Sequence, residues 1–319
     1  MPRNLVLVAV LALGVVAACD GSGSADTEDD GKGSAKPSFA NATADELSGT
    51  FFYLAPHDDG AAVYSFTGDG KPKPVMTGTA DLWSSATPSP DGKYISYVEG
   101  SNAESPMRIW DVEAGEPLKE QLAQVDGVCK EPAWTPDSKR LLTHAVAADS
   151  PTEATWFDVA SGETSKADVV DGCHPKFPVG GDDTVYTFMT GDVTGLVMRD
   201  GKKETTLPAE VVKGRTIIDP VAVARDNAGL CVATAAEGEP VGDAARSLSC
   251  DTIVDTKTKK PVKLPDTITG AVFPESGGFI TRTGDGELKL SDLDDSGIAT
   301  LEEPSELAEG FLIGYAEPA

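Results

Sequence analysis

Positive charge is scarce in this sequence: 26 Lys and Arg stand against 52 Asp and Glu, a formal net charge of -26. A surface that grips nucleic acid phosphates, or holds anionic lipid by charge alone, needs clustered cations. No basic stretch of useful size occurs. Both partner classes are therefore set aside, and the acidity reads mainly as solubility. Histidine is nearly absent, with 3 residues, and cysteine is sparse, with 5. A metal or nucleophile site built from so few would have to declare itself by spacing. No Cys pair has CxxC spacing, and neither HExxH nor GxSxG occurs. His57, His144 and His174 are far apart in the chain, and His57-Asp58-Asp59-Gly60 reads as a polar turn. No cofactor is expected, and no enzyme. Long amphipathic helical patterns are also missing, which points away from helical repeats.

The one extended apolar run, Leu5 to Val16, is shorter than the roughly 20 residues a bilayer-spanning helix needs. With Arg3 before it and Val16-Ala17-Ala18-Cys19 after it, residues 1–18 read as a lipoprotein signal peptide ending in a lipobox. Cys19 is then the lipidated residue, holding the chain to a membrane without spanning it. Asp20 directly after it resembles a signal for retention at the inner membrane. Localisation is thus expected at the outer face of the cytoplasmic membrane. Residues 19–48, rich in Gly, Ser and Asp, cannot bury enough apolar surface to offset their ordering entropy and read as a disordered tether. The folded part is placed at 49–319.

What the folded part has in plenty is a recurring turn. SPDG begins at Ser89 and TPDS at Thr135; VGGDD follows at Val179, ARDNAG at Ala224 and FPESGG at Phe273. A period in the forties, with several short alternating strands per unit, is the signature of a β-propeller. Ile109-Trp110-Asp111-Val112 is echoed by Trp156-Phe157-Asp158-Val159, each followed by a small-residue hairpin turn ending in Gly115 or Gly162. The N-terminal FFYLAPHDDGAAVYSFTGDGKPKPVM supplies three strands of a unit, and the C-terminal GFLIGYAEPA supplies the missing inner one. Their pairing would close the ring and remove its open edges. The expectation is an all-β fold: a β-propeller of four-stranded blades, six in number, with seven as the alternative.

SPDGKYISYVE followed by MRIWDVEAGEPLKE resembles the WD-repeat-like units of the TolB family of periplasmic propellers. The resemblance is carried most clearly by these units and by TPDSKRLLTHAV. Val179-Gly180-Gly181-Asp182 and Ala224-Arg225-Asp226-Asn227 depart from the pattern. The helical domain that precedes the propeller in that family has no counterpart here, so fold is implied and a particular partner is not. On such a propeller Cys129 and Cys173 fall at the entries to inner strands of neighbouring blades. Cys231 and Cys250 fall on adjacent strands of one blade. The disulfides expected are Cys129–Cys173 and Cys231–Cys250.

The same placement gathers Trp83, Lys130, Glu131, His174, Lys176 and Asp219 just before or within inner strands, at the channel mouth where propeller loops meet. These are the binding candidates. Asp292, Asp294, Ser296 and Glu303 have the spacing of a calcium loop. The stretch aligns instead with the hairpin turns of other units and lacks flanking helices, so no metal is expected there. The functional expectation is a monomeric, non-catalytic interaction scaffold with a protein partner in the cell envelope. Recognition of a small molecule or glycan, feeding a transporter or sensor, is the alternative, with a propeller lyase or hydrolase behind it.

Overall fold

The computed structural model describes residues 47–318 except 69, 101–103, 119–122, 127–128, 148–149, 169–172, 182–184, 190–194, 201–202, 209, 237–245, 265 and 293–296. Cys19 and almost all of the expected tether lie outside the described residues. Leu47, assigned to the tether from sequence, is buried against the core of the first sheet.

Regular structure among the described residues is almost entirely antiparallel strand. Five hydrogen-bonded sheets form. The first orders the final strand, Phe311–Ala316, beside Thr50–His57, then Gly60–Thr67 and Lys73–Gly78. A nine-stranded sheet follows. It holds Thr87–Pro88, Tyr94–Val98, Glu104–Asp111 and Glu116–Pro117, then Ala133–Trp134, Arg140–Ala147, Ser150–Asp158 and Thr164–Lys166. Its ninth member, Ala123–Asp126, pairs with Glu104 to Met107 on one side and Ala145 on the other. The third sheet is Cys173–Lys176, Val185–Met189, Gly195–Asp200 and Lys203–Pro208. The fourth is Arg215–Val223, Gly229–Ala236, Thr252–Asp255 and Lys260–Pro261; the fifth is Ile268–Val272, Phe279–Thr283, Glu287–Ser291 and Ala299–Glu302. The fold is an all-β propeller of four-stranded blades. Among the described residues separate sheets number five, not six or seven. The difference comes from Ala123–Asp126, a segment the sequence reading left without a strand, which joins two four-stranded units into one sheet.

The ring closes through the chain ends. Thr50 to Leu54 pair with Ala316 to Phe311, and the Gly49 N–H donates to the Tyr315 hydroxyl at 3.1 Å. A cluster containing Phe51, Tyr53, Leu288, Leu290 and Leu312 packs the first sheet onto the fifth. Beside it Arg282 donates to both oxygens of Glu303 at 2.9 and 3.0 Å and lies 6.0 Å from the Tyr53 ring. The other apolar clusters lie mainly at the seams between neighbouring units. The core is thus a ring of inter-sheet seams, which is how sheets apolar on both faces satisfy themselves.

The recurring turn has a chemical cause. In Ser89-Pro90-Asp91-Gly92 the serine hydroxyl donates to Asp91 Oδ1 at 2.7 Å and accepts the Tyr94 N–H at 3.0 Å. Asp91 Oδ1 also accepts from the Lys93 N–H at 3.2 Å. Thr135, Asp137, Lys139 and Arg140 repeat these contacts at 2.7, 3.1 and 3.0 Å. The fourth turn position is left-handed in both, at φ 70° for Gly92 and 59° for Ser138. Asn227 takes the same conformation in the divergent ARDN turn, at 55°. Ala224 lacks the hydroxyl, so what persists as the motif drifts is the handedness and the main-chain bond, from the Ala224 N–H to the Gly229 carbonyl at 2.8 Å. A second turn recurs between the two outer strands. Asp111, Asp158 and Asp255 each accept a main-chain N–H three residues on, from Ala114, Ser161 and Thr258 at 2.9, 2.8 and 2.6 Å. The residue after is left-handed: Gly115, Gly162 and, in the third copy, Lys259 at φ 55°.

Lys259 is exposed and carries a Cβ where the other two copies carry none. Removing that clash gains about 1–2 kcal/mol, offset by glycine's greater freedom in the unfolded chain, about 0.4–1 kcal/mol. Lys259→Gly is expected to raise the thermal midpoint by about 1–3 °C, read by circular dichroism melts against wild type; a lower midpoint would refute the strain argument.

Candidate functional site

The innermost strands surround a cavity of about 180 Å³, walled in part by Pro88, Ala133, Lys176, Val223, Val272 and Leu312. One mouth is capped by a buried ionic network. Glu131, two residues before the strand Ala133–Trp134, is only 4% exposed. Its Oε1 accepts from Lys176 Nζ at 2.6 Å and from Arg246 Nη1 at 3.0 Å. In the neighbouring third and fourth sheets His174 Nδ1 lies 2.9 Å from Asp219 Oδ1, both side chains buried. The other oxygen, Asp219 Oδ2, accepts the Ser247 N–H at 2.5 Å. His174 is held at φ 56°, an uncommon left-handed conformation for a residue with a Cβ.

Arg246 ties these parts together. It belongs to the segment that links Gly229–Ala236 to Thr252–Asp255 in the fourth sheet, and it reaches across the mouth to the first helix, Leu82–Ser85. Its Nε donates to the Trp83 carbonyl at 3.0 Å. Its Nη2 donates to the carbonyls of Ala86 at 2.9 Å and Leu82 at 3.4 Å, and Nη1 also reaches the Thr87 hydroxyl at 3.4 Å. So short a helix satisfies few of its own carbonyls; the guanidinium supplies those of Trp83 and Ala86 and shares the Leu82 carbonyl with the Ala86 N–H. Leu248, two residues on, packs with Trp83, Phe52 and Ile95. The segment is pinned at its far end by the Cys231–Cys250 disulfide, with Cα atoms 5.8 Å apart.

All six sequence candidates are placed by these contacts. Glu131, His174, Lys176 and Asp219 are brought into the cap. Trp83 joins it through its carbonyl, while its ring meets Phe311 edge-on at 6.0 Å. Lys130 turns aside and donates to the Gly100 carbonyl at 3.0 Å. Glu131, His174 and Asp219 are buried at the mouth, where Glu131 accepts from Lys176 and Arg246 and His174 pairs with Asp219. Arg246 was missed. Its one sequence signal is that it is the only cation between Cys231 and Cys250, in a loop otherwise acidic or neutral.

Elsewhere the candidates separate. Cys129 is disulfide-bonded, but the side chain of Cys173 lies outside the described residues. Asp294 and Ser296 of the calcium-like stretch also lie outside them, and Glu303 is committed to Arg282. No cluster of three or more His, Cys, Asp or Glu suited to a metal occurs among the described residues. His57 sits in the polar turn, accepting the Asp59 N–H at 3.5 Å, and His144 is buried within Arg140–Ala147.

Two opposed effects set the state of Glu131. Burial raises its pKa, but the adjoining Lys176 and Arg246, then His174, outweigh burial and hold the carboxyl down at about 2. It is ionised throughout the physiological range. Removing one member of such a buried pair leaves the others uncompensated, at about 3–5 kcal/mol.

No family model matches the chain, and no curated protein matches it. Among solved structures it is similar to TolB from Acinetobacter baumannii, with a TM-score of 0.57 and 19% identity over 86% of this chain and 68% of that one. It is also similar to a chain of a nidogen/laminin complex, at 0.50 and 10% identity over 84% and 98%. An oligogalacturonate lyase from Vibrio parahaemolyticus reaches only 0.47 and 15% identity over 80% and 75%. At these identities the likeness is one of fold: the chain shares the β-propeller architecture of TolB.

Because the folded pKa of Glu131 is depressed, its contribution to stability is full above its unfolded value, about 4.3, and is lost as pH falls towards about 2. Glu131→Gln is expected to cost about 3–5 kcal/mol at neutral pH and to flatten the stability profile across that acid window, read by urea unfolding at a series of pH values. A variant that loses stability with acid as steeply as wild type would contradict the role given to this carboxylate.

Proposed function

We propose that the chain is a lipid-anchored, non-catalytic scaffold that binds another protein at the outer face of the cytoplasmic membrane. We also propose that the propeller has six blades, if the nine-stranded sheet is taken as two four-stranded units bridged by Ala123–Asp126. The observation that carries the reading is the internal commitment of the mouth's charges. A general acid must hold a proton and reach the substrate with it. Glu131 is held as a carboxylate between two cations, and His174 and Asp219 are buried against each other. The cap is built for rigidity, and it positions loops from several units as one platform.

The size of the central cavity favours a protein partner over an enclosed small molecule at this mouth. About 180 Å³ falls below the roughly 300–1,000 Å³ of sites that enclose drug-sized ligands. The signal-like N-terminus with its lipobox supports anchoring through Cys19. A disulfide at Cys231–Cys250 agrees with an oxidising compartment.

Crosslinking in native membranes, followed by purification and mass spectrometry, tests the reading, with Cys19→Ala as the control released from its anchor. One protein enriched with the anchored form, linked through the mouth loops, is the expected outcome. Absence of any specific protein with either form would overturn the scaffold.

A further inference from the structure

The cap contains a bound ligand that the chain supplies itself. An arginine guanidinium has five N–H donors in a rigid fork, and every direction of the Arg246 fork is answered. Nε meets the Trp83 carbonyl; Nη1 meets Glu131 Oε1 and the Thr87 hydroxyl; Nη2 meets the carbonyls of Ala86 and Leu82. The Arg246 side chain is 4% exposed. The residues that follow are read as well, Ser247 through its main-chain N–H on Asp219 and Leu248 in the apolar cluster around Trp83. The acceptors belong to segments that precede or form innermost strands of other units, more than 100 residues away for the Trp83 and Glu131 contacts. The groups that receive the guanidinium are thus supplied by parts of the chain remote in sequence from the segment that fills them.

We infer that this mouth is an arginine-recognition site occupied in cis by Arg246, and that the protein partner presents an extended arginine-bearing segment that takes the same place. The inference rests on the scaffold reading and gives its partner a chemistry. Lysine does not fit: a single ammonium cannot span the Glu131 carboxylate and three carbonyls set around a planar fork. The net charge of -26 draws a cationic segment towards the protein. The geometry of the fork then selects arginine.

The occupant in cis regulates the site. A tethered segment competes at an effective concentration of order millimolar, so a free peptide must wait for the fraction of molecules in which Arg246 has left. An open fraction of about 1–10% weakens the apparent affinity by about 10- to 100-fold. A partner succeeds by adding contacts elsewhere on the platform, and a bare tripeptide does not.

The test uses the full chain in detergent at about 0.15 M salt, a Debye length of about 8 Å. The probes are the peptides Ac-Arg-Ser-Leu-amide and Ac-Lys-Ser-Leu-amide, with binding read by calorimetry. Arg246→Ala is expected to bind the arginine peptide at least about 10-fold more tightly than wild type does and to leave the lysine peptide unbound. Adding Glu131→Gln is expected to abolish the gain. If Arg246→Ala does not fold, Arg246→Lys keeps a cation beside Glu131 while giving up the fork, and serves in the same assay with the same outcomes. Equal binding of both peptides, or no gain over wild type by a folded variant, overturns the inference. Such a failure leaves the membrane crosslinking result untouched, so loss of the arginine site and loss of the scaffold reading are told apart.

Discussion

Everything in this structure depends on the pairing of the final strand with the first. Each sheet of a propeller buries its faces against its neighbours, so an unclosed ring would expose two apolar faces and two strand edges at once. Here the register from Thr50 opposite Ala316 to Leu54 opposite Phe311 joins the ends. The seam is reinforced by Phe51 and Leu312 in its core and by Arg282 chelating Glu303. The same final strand supplies Leu312 and Gly314 to the channel wall. Gly314 has no room for a side chain, since a Cβ there would come within 2.4 Å of Pro88. Closure and the dimensions of the channel are therefore one constraint.

The second constraint is electrostatic. Burying a carboxylate or an ammonium costs several kcal/mol each, recovered only when partners and hydrogen bonds are supplied in full. At the capped mouth Glu131 is paired with Lys176 and Arg246, and His174 with Asp219, although both Glu131 pairs fall on Oε1 and its buried Oε2 has no hydrogen-bond partner among the described residues. An apolar plug of equal volume would hold the loops as well or better. What the ions add is geometric demand: the guanidinium is satisfied in one placement only, and so the loop carrying it, the short helix Leu82–Ser85 and the strand after Glu131 must keep their relative positions.

Much of the fold could be read in the sequence because its causes are local. The serine or threonine and aspartate of SPDG and TPDS bond within their own turn, so the motif is visible wherever it stands, and Gly115 and Gly162 mark the outer hairpins for the same reason. The complementary strand content of the two ends foretold their pairing. Three features were hidden because their causes are remote. Ala123–Asp126 follows no repeat pattern, and its pairing with both Glu104–Asp111 and Ala145 decides how many separate sheets form. Glu303 looked like the last ligand of a calcium loop because spacing cannot show that Arg282, 21 residues earlier, has taken it. Arg246 lies 163 residues from Trp83, and nothing in its own stretch names the helix end it caps. The burial of Glu131, His174 and Asp219 was not legible, since each is polar or charged and such side chains ordinarily read as surface.

That burial changes what recognition by this fold can mean. A mouth lined with free charges would attract partners of opposite sign with little regard for shape. Here the charges are spent on one another, and the potential that remains is the diffuse field of an acidic chain. Attraction and selection are thereby separated: the field of -26 raises encounter rates with any cationic surface and is weakened by salt, while the capped mouth yields only to a group that can replace every bond it breaks. Exchange of that kind is nearly neutral in hydrogen bonds and demanding in geometry. Specificity then comes from the shape of the fork and from the contacts around it, and the depth of the channel contributes rigidity more than volume.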